Sequence, residues 1–91
     1  MDLNFTKQGN DYVAEFEVAG DFNLHLERQT MSPLNVEQRT SASGEYAVIK
    51  GMDDYSYDKV IDLDFIGGVY PKYIRISCVT MPTMAIVTTA E

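Results

Sequence analysis

The chain has 91 residues, with 14 acidic side chains against 7 basic ones and a net charge of −7. A chain of this length is expected to form one domain, and its 45% apolar and 23% charged residues argue against an intrinsically disordered protein. The bases are scattered and the net charge repels phosphate, so we expect no nucleic-acid partner and no membrane partner.

Alternation of apolar and polar residues runs through the first half of the chain and predicts β-strands. Leu3 and Phe5 begin the first predicted strand, and residues 8–11 have the glycine and asparagine of a turn. Residues 12–18 place Tyr, Ala, Phe and Val on one face, with two glutamates on the other. Apolar and polar residues alternate most regularly at residues 22–27, which predicts a third strand with one solvent-exposed face.

The second half of the chain continues the same pattern. The apolar run at residues 46–49 suits a central strand, and the polar connection at residues 51–58 has room for a helical turn over 52–57. Four further segments alternate as strands do: residues 34–39, 59–65, 73–79 and 84–89. About eight short strands at this spacing predict one domain over residues 1–91, an all-β antiparallel sandwich of jelly-roll-like form.

His25 and Cys78 are the side chains whose chemistry best suits catalysis near neutral pH. His25 falls on the polar face of its strand, and the chain has no second histidine for an imidazole metal site. Cys78 shares a predicted face with two isoleucines and suits a buried position. We therefore expect no catalytic residues, no enzyme activity and no cofactor.

Acidic residues are densest at residues 53–58. Asp54, Ser56 and Asp58 alternate like the first ligands of a calcium loop, but Lys59 stands where that loop needs glycine and Phe65 where it needs an acid. A solvated acidic loop explains the same residues, so we expect no metal site.

Three tyrosines in the connecting segments are candidates for a binding surface: Tyr55, Tyr57 and Tyr70. Tyrosine gives a large contact area at low entropic cost, which is typical of protein interfaces. The same rings, with Asp53 and Asp54 beside them, are candidates for holding a glycan. The alternative is that one or more of these rings cover an end of the core.

Segments of the chain resemble two groups of known proteins. Residues 34–46 and 73–76 resemble a strand, a serine-and-glycine turn and a late strand in jelly-roll sandwiches of the galactose-binding-like family, which implies a sandwich. The layout also resembles small all-β accessory proteins of phages and prophages of Bacteroides-type gut bacteria, through MDLNF at residues 1–5, FNLHLER at 22–28, QRTS at 38–41 and YPKY at 70–73. That resemblance implies a virion or virion-assembly component acting as a symmetric oligomer.

Two functions follow as hypotheses. The first is a non-enzymatic structural or interaction protein, with protein partners or copies of itself, that acts as a phage virion or assembly subunit. The alternative is a carbohydrate-binding module of a surface or phage adhesin. The N-terminal residues show neither the basic nor the apolar region of a secretory signal, so we expect the protein in the cytoplasm after synthesis, with the virion as its other location.

Overall fold

A computed structural model describes residues 1–89, apart from the side chain of Asp53. It has eight strands, numbered in chain order: β1 (Thr6–Gln8), β2 (Asp11–Val18), β3 (Phe22–Glu27), β4 (Leu34–Arg39), β5 (Ala47–Val48), β6 (Val60–Phe65), β7 (Lys72–Cys78) and β8 (Met84–Thr89). A 3₁₀ helix, Met52–Tyr57, precedes β6 and confirms the helical turn that the sequence allows. Among the described residues, no helix has the length and hydropathy needed to cross a membrane.

The strands form two antiparallel sheets, β1-β2-β7-β4-β5 and β6-β3-β8. Their pairings are nested: β4 pairs with β5, β3 with β6 and β2 with β7, while Asp2 forms an isolated bridge to Ile86 in β8. A long hairpin wound into two facing sheets in this way is the jelly-roll arrangement. The predicted sandwich of about eight strands is confirmed.

The core lies between the two sheets and follows the predicted alternation. Its fully buried side chains come from both sheets: Leu24, Leu26, Val36, Ile61, Ile74, Ile76, Cys78 and Val87. At one end of the core, the Phe22 ring stacks on Phe65 at 4.7 Å and meets Phe16 edge-on at 5.7 Å. Burying each large side chain of this kind stabilises the fold by roughly 1.5–3 kcal/mol. With the interior filled, binding surfaces are limited to the outer faces and the ends.

The central strand predicted at residues 46–49 is wrong. Only Ala47 and Val48 form a strand, β5, and it lies at the edge of its sheet with Val48 61% exposed. The reason lies just after it, where Gly51 takes a left-handed conformation (φ 87°) and the chain turns into the 3₁₀ helix. Apolar residues alone therefore did not distinguish an edge strand from a central one.

The first five residues also differ from the predicted strand. Leu3 and Phe5 pack against the core, but the Leu3 N–H donates to the carbonyl of Ala85 and the Val87 N–H donates to that of Met1. This segment therefore lies along β8 before the chain crosses to the other sheet and begins β1 at Thr6. It covers part of the outer edge of β8.

Arg28 is the buried charged residue of the described chain, at 3% exposure. Its guanidinium donates to three main-chain carbonyls, those of Ser32 (2.7 Å), Tyr55 (2.7 Å) and Asp58 (3.0 Å). These bonds join the segment after β3, the 3₁₀ helix and the start of β6. Arg28 thus fixes the loops at one end of the sandwich.

Candidate functional site

The tyrosines predicted as a binding surface are separated in the structure. Tyr57 is 78% exposed, whereas Tyr55 and Tyr70 are half-buried against the core. The Tyr70 hydroxyl donates to Asp21 (2.7 Å), just before β3, while the Tyr55 carbonyl accepts from Arg28, just after β3. Since the two are anchored at opposite ends of β3, the structure does not gather all three rings into one surface.

The acidic segment at residues 53–58 forms the 3₁₀ helix and its end. Asp54 is exposed on this helix, and the side chain of Asp53 lies outside the described part of the structure. The Ser56 hydroxyl accepts the Leu34 N–H at 3.2 Å, so it ties the helix to β4. Within the described residues, no three His, Cys, Asp or Glu side chains converge in a way that could hold a metal ion.

The outer face of the three-stranded sheet carries a connected polar network. Pairing of β3 with β6 sets His25 opposite Asp62 and Asn23 opposite Asp64. The two imidazole nitrogens of His25 lie 2.7 Å from Glu27 and 3.0 Å from Asp62, and the Asn23 amide donates to Asp62 (2.7 Å) and Asp64 (2.9 Å). We call these five side chains the acid–histidine network.

Both imidazole nitrogens of His25 form hydrogen bonds within this network. Hydrogen bonds to Glu27 and then to Asp62 raise the pKa of His25, and the bond from Asn23, followed by that from His25, lowers the pKa of Asp62. Because both ring nitrogens are engaged, neither is free to take a proton from a substrate in this conformation. Burial raises the pKa of the Cys78 thiol to about 11, so that side chain is a thiol rather than a thiolate at neutral pH.

The outer face of the five-stranded sheet carries a groove of about 410 Å³. Three strands place Val13, Ser77 and Asn35 in one cross-strand row, and Val13 is only 8% exposed although it points away from the core. The groove is lined by side chains from four strands and the segments beside them: Gln8, Asp11, Val13, Pro33, Leu34, Asn35, Glu37, Arg75, Ser77 and Val79. Sequence reasoning missed this site, and its one signal was Val13 on a face otherwise lined by acids.

One wall of the groove is held by an ion pair and stacked side chains. Arg75 donates to both carboxylate oxygens of Glu37, at 2.9 and 3.1 Å, and its guanidinium lies 4.2 Å from the centre of the Tyr46 ring. Arg39 lies 4.3 Å from the same ring centre and 5.8 Å from that of Tyr73. Planar guanidinium groups stacked on rings fix the geometry of this wall.

Large apolar side chains are exposed at the end of the sandwich where β3 and β7 finish. They are Met31, Val60, Val79, Met81 and Met84, each at least 43% exposed, and we call them the apolar end. A hydrogen bond between Ser32 and Thr80 (3.1 Å) joins the two loops that carry Met31 and Met81. Met81 and Met84 also share a groove of about 370 Å³ with Phe5 and Ile86.

Comparisons with protein families, curated proteins and solved structures found no match to this chain.

Proposed function

We propose that the protein is a non-enzymatic structural subunit that binds copies of itself through the apolar end. The observation that supports this proposal is the exposure of five large apolar side chains at one end, among them Met31 at 57% and Met81 at 51%. Large apolar side chains exposed together at one end of a domain are typical of interaction sites. Methionine adapts its shape to a partner because its side chain is unbranched and polarisable.

The sheet edges favour this end over edge-to-edge assembly. The five-stranded sheet ends in β1, of three residues, and in β5, of two residues, so neither edge offers a long row of free N–H and carbonyl groups. In the other sheet, the first residues of the chain cover part of β8, and the six-residue edge strand β6 carries the outward-facing carboxylates of Asp62 and Asp64, which disfavour strand pairing. Contact through side chains at an end is therefore the better route to an oligomer.

The size of the molecule favours a second copy of the chain as the partner that binds the apolar end. A stable protein–protein interface of standard size buries about 800 Å² on each partner. One face of a body measuring 33 × 27 × 23 Å presents an area of that order. A domain of 91 residues also buries a modest fraction of its surface on folding, so contact between copies would add stability. Lys59, beside Val60, supplies a base that can face an acid of the other copy.

The oligomeric state tests this proposal. We expect the native protein to be a defined oligomer by size-exclusion chromatography with light scattering, and Met31→Asp with Met81→Asp to yield a folded monomer. Ile66→Asp is the matched control, because Ile66 is 77% exposed at the opposite end. A native monomer at about 0.5 mM, roughly 500 times a Kd of 1 μM, would contradict the proposal, as would equal dissociation by Ile66→Asp.

The resemblance to phage accessory proteins leads us to propose a virion or virion-assembly role for that oligomer. Quantitative mass spectrometry of particles purified from cells that express the chain tests this step. We expect a fixed ratio of the chain to the main shell protein, and the monomeric variant to be absent from particles. Recovery of the native chain only in the unassembled fraction would contradict the virion role, but it would leave the proposal of an oligomer intact.

A further inference from the structure

We propose that the groove on the outer face of the five-stranded sheet binds a neutral saccharide. This site differs from the apolar end and from the tyrosines at residues 55, 57 and 70. The groove lies on a sheet face and shares only Val79 with the apolar end, so the proposal does not require self-assembly.

Several polar side chains that line the groove are free to form hydrogen bonds with a ligand. Asp11, Asn35 and Ser77 line it, and none of the three side chains has a hydrogen-bond partner among residues 1–89 within the described structure. Ser77 is paired on both sides, with Val13 and Asn35, while Asp11 pairs with Gln8 and Asn35 with Ser77 on one side. Groups held by paired strands keep their positions, which reduces the entropy cost of binding.

The chemistry of these groups matches neighbouring hydroxyls on a sugar ring. An amide and a hydroxyl each donate and accept, and a carboxylate accepts. A sugar hydroxyl also does both, so one ring can bond to two or three of these groups at once. Val13 on the floor and Val79 at the end offer apolar contact to the C–H side of the ring.

The negative charges in and around the groove favour a neutral ligand. The groove contains the carboxylates of Asp11 and Glu37, and its one guanidinium, on Arg75, is already bonded to Glu37. With a net charge of −7 on the chain, phosphorylated or acidic sugars are repelled. A volume of about 410 Å³ lies in the range of small-molecule sites and has room for about one or two sugar rings.

Binding to an array of neutral polysaccharides and oligosaccharides, followed by calorimetry with each one that binds, tests the site. We expect at least one neutral glycan to bind, with Asn35→Ala and Ser77→Ala each lowering the affinity by about fivefold or more. Ser77→Phe should abolish binding by filling the groove. Thr88→Ala, at an exposed position on the other sheet, should change nothing.

NMR shift mapping with the bound glycan locates the contact. Changes at Asn35, Ser77 and Val13 support the groove, whereas changes confined to Tyr55, Tyr57 or Tyr70 overturn it. Silence across the neutral array overturns it too, as does tighter binding of acidic sugars than of neutral ones. The monomeric Met31→Asp, Met81→Asp variant should keep its glycan affinity, which separates failure of this site from failure of the assembly proposal.

Discussion

The two outer faces of the sandwich are built from similar alternating strands but differ in what their polar groups bind. On the three-stranded sheet, the acid–histidine network connects its five side chains by bonds of 2.7 to 3.0 Å. On the five-stranded sheet, Asp11, Asn35 and Ser77 have no such partners in the described structure and surround a groove. The polar groups of the network are satisfied within the protein, whereas on the other face these three side chains remain available beside the Arg75–Glu37 ion pair.

This difference bears on where a ligand can bind. A ligand at the acid–histidine network would have to replace hydrogen bonds that the protein already makes, which reduces the net gain. A ligand in the groove replaces only water. The side chains of the acid–histidine network should therefore contribute more to stability than Asp11, Asn35 and Ser77, which have no side-chain partners in the described structure.

The largest effect is expected at Arg28, which supports both faces because it lies between the end of β3 and the start of β4. Arg28→Ala leaves three carbonyls without their donor and should lower the free energy of unfolding by about 3 kcal/mol. Urea denaturation followed by circular dichroism measures this. Arg28→Lys keeps the charge but not the fork of donors, so its midpoint should be intermediate. An unchanged midpoint for Arg28→Ala would mean that the loops keep their conformation without the hydrogen bonds from Arg28.

The second effect concerns the wall of the groove. Arg75→Met removes both bonds to Glu37, whose side chain is only 15% exposed, and should cost about 2 kcal/mol because a poorly solvated carboxylate loses its partner. The double variant Glu37→Gln with Arg75→Met should recover part of that loss in urea denaturation. Additive losses in this cycle would show that the two side chains are not coupled.

Much of the fold follows from the sequence because alternation directly encodes which side chains face inward. Leu24, Leu26, Ile74 and Ile76 lie in the core as their spacing predicts. The run at residues 46–49 shows the limit of that reasoning: its apolar residues do not reveal that Gly51 ends the strand early, nor that β5 lies at an edge.

The candidate sites were less accessible to sequence reasoning because they depend on cross-strand register. His25 and Asp62 are 37 residues apart in sequence, yet β3 and β6 set them directly opposite each other. The row of Val13, Ser77 and Asn35 likewise arises only once β2, β7 and β4 are placed side by side. A single sequence gives which face each residue occupies but not which strands are neighbours.

A smaller effect separates two asparagines, one on each face. Asn23→Ala removes the amide that donates to Asp62 and Asp64 and leaves two neighbouring carboxylates unbridged, so its urea midpoint should fall. Asn35→Ala is the matched control, since Asn35 is also half-buried on a strand but has no side-chain partner in the described structure. We expect its midpoint to stay near that of the native protein. Equal decreases of the urea midpoint in the two variants would show that the polar groups of the two faces do not differ in their contribution to stability.

The smallest effect is the pH dependence that His25 gives to stability. Its bonds to Glu27 and Asp62 raise its pKa in the folded protein above the ordinary value of 6.5, so protonation favours the folded state. That contribution is fully present below pH 6.5 and is lost as the pH rises through the raised pKa. The urea midpoint of the native protein should therefore exceed that of His25→Gln by more at pH 5.5 than at pH 9, values on either side of the ordinary histidine range of about 6 to 7. Asn35→Ala, which changes no titrating group, should show no such trend relative to the native protein. A gap between native and His25→Gln that stays constant with pH would mean that His25 has the same pKa in the folded and unfolded states, and that Glu27 and Asp62 do not stabilise its protonated form.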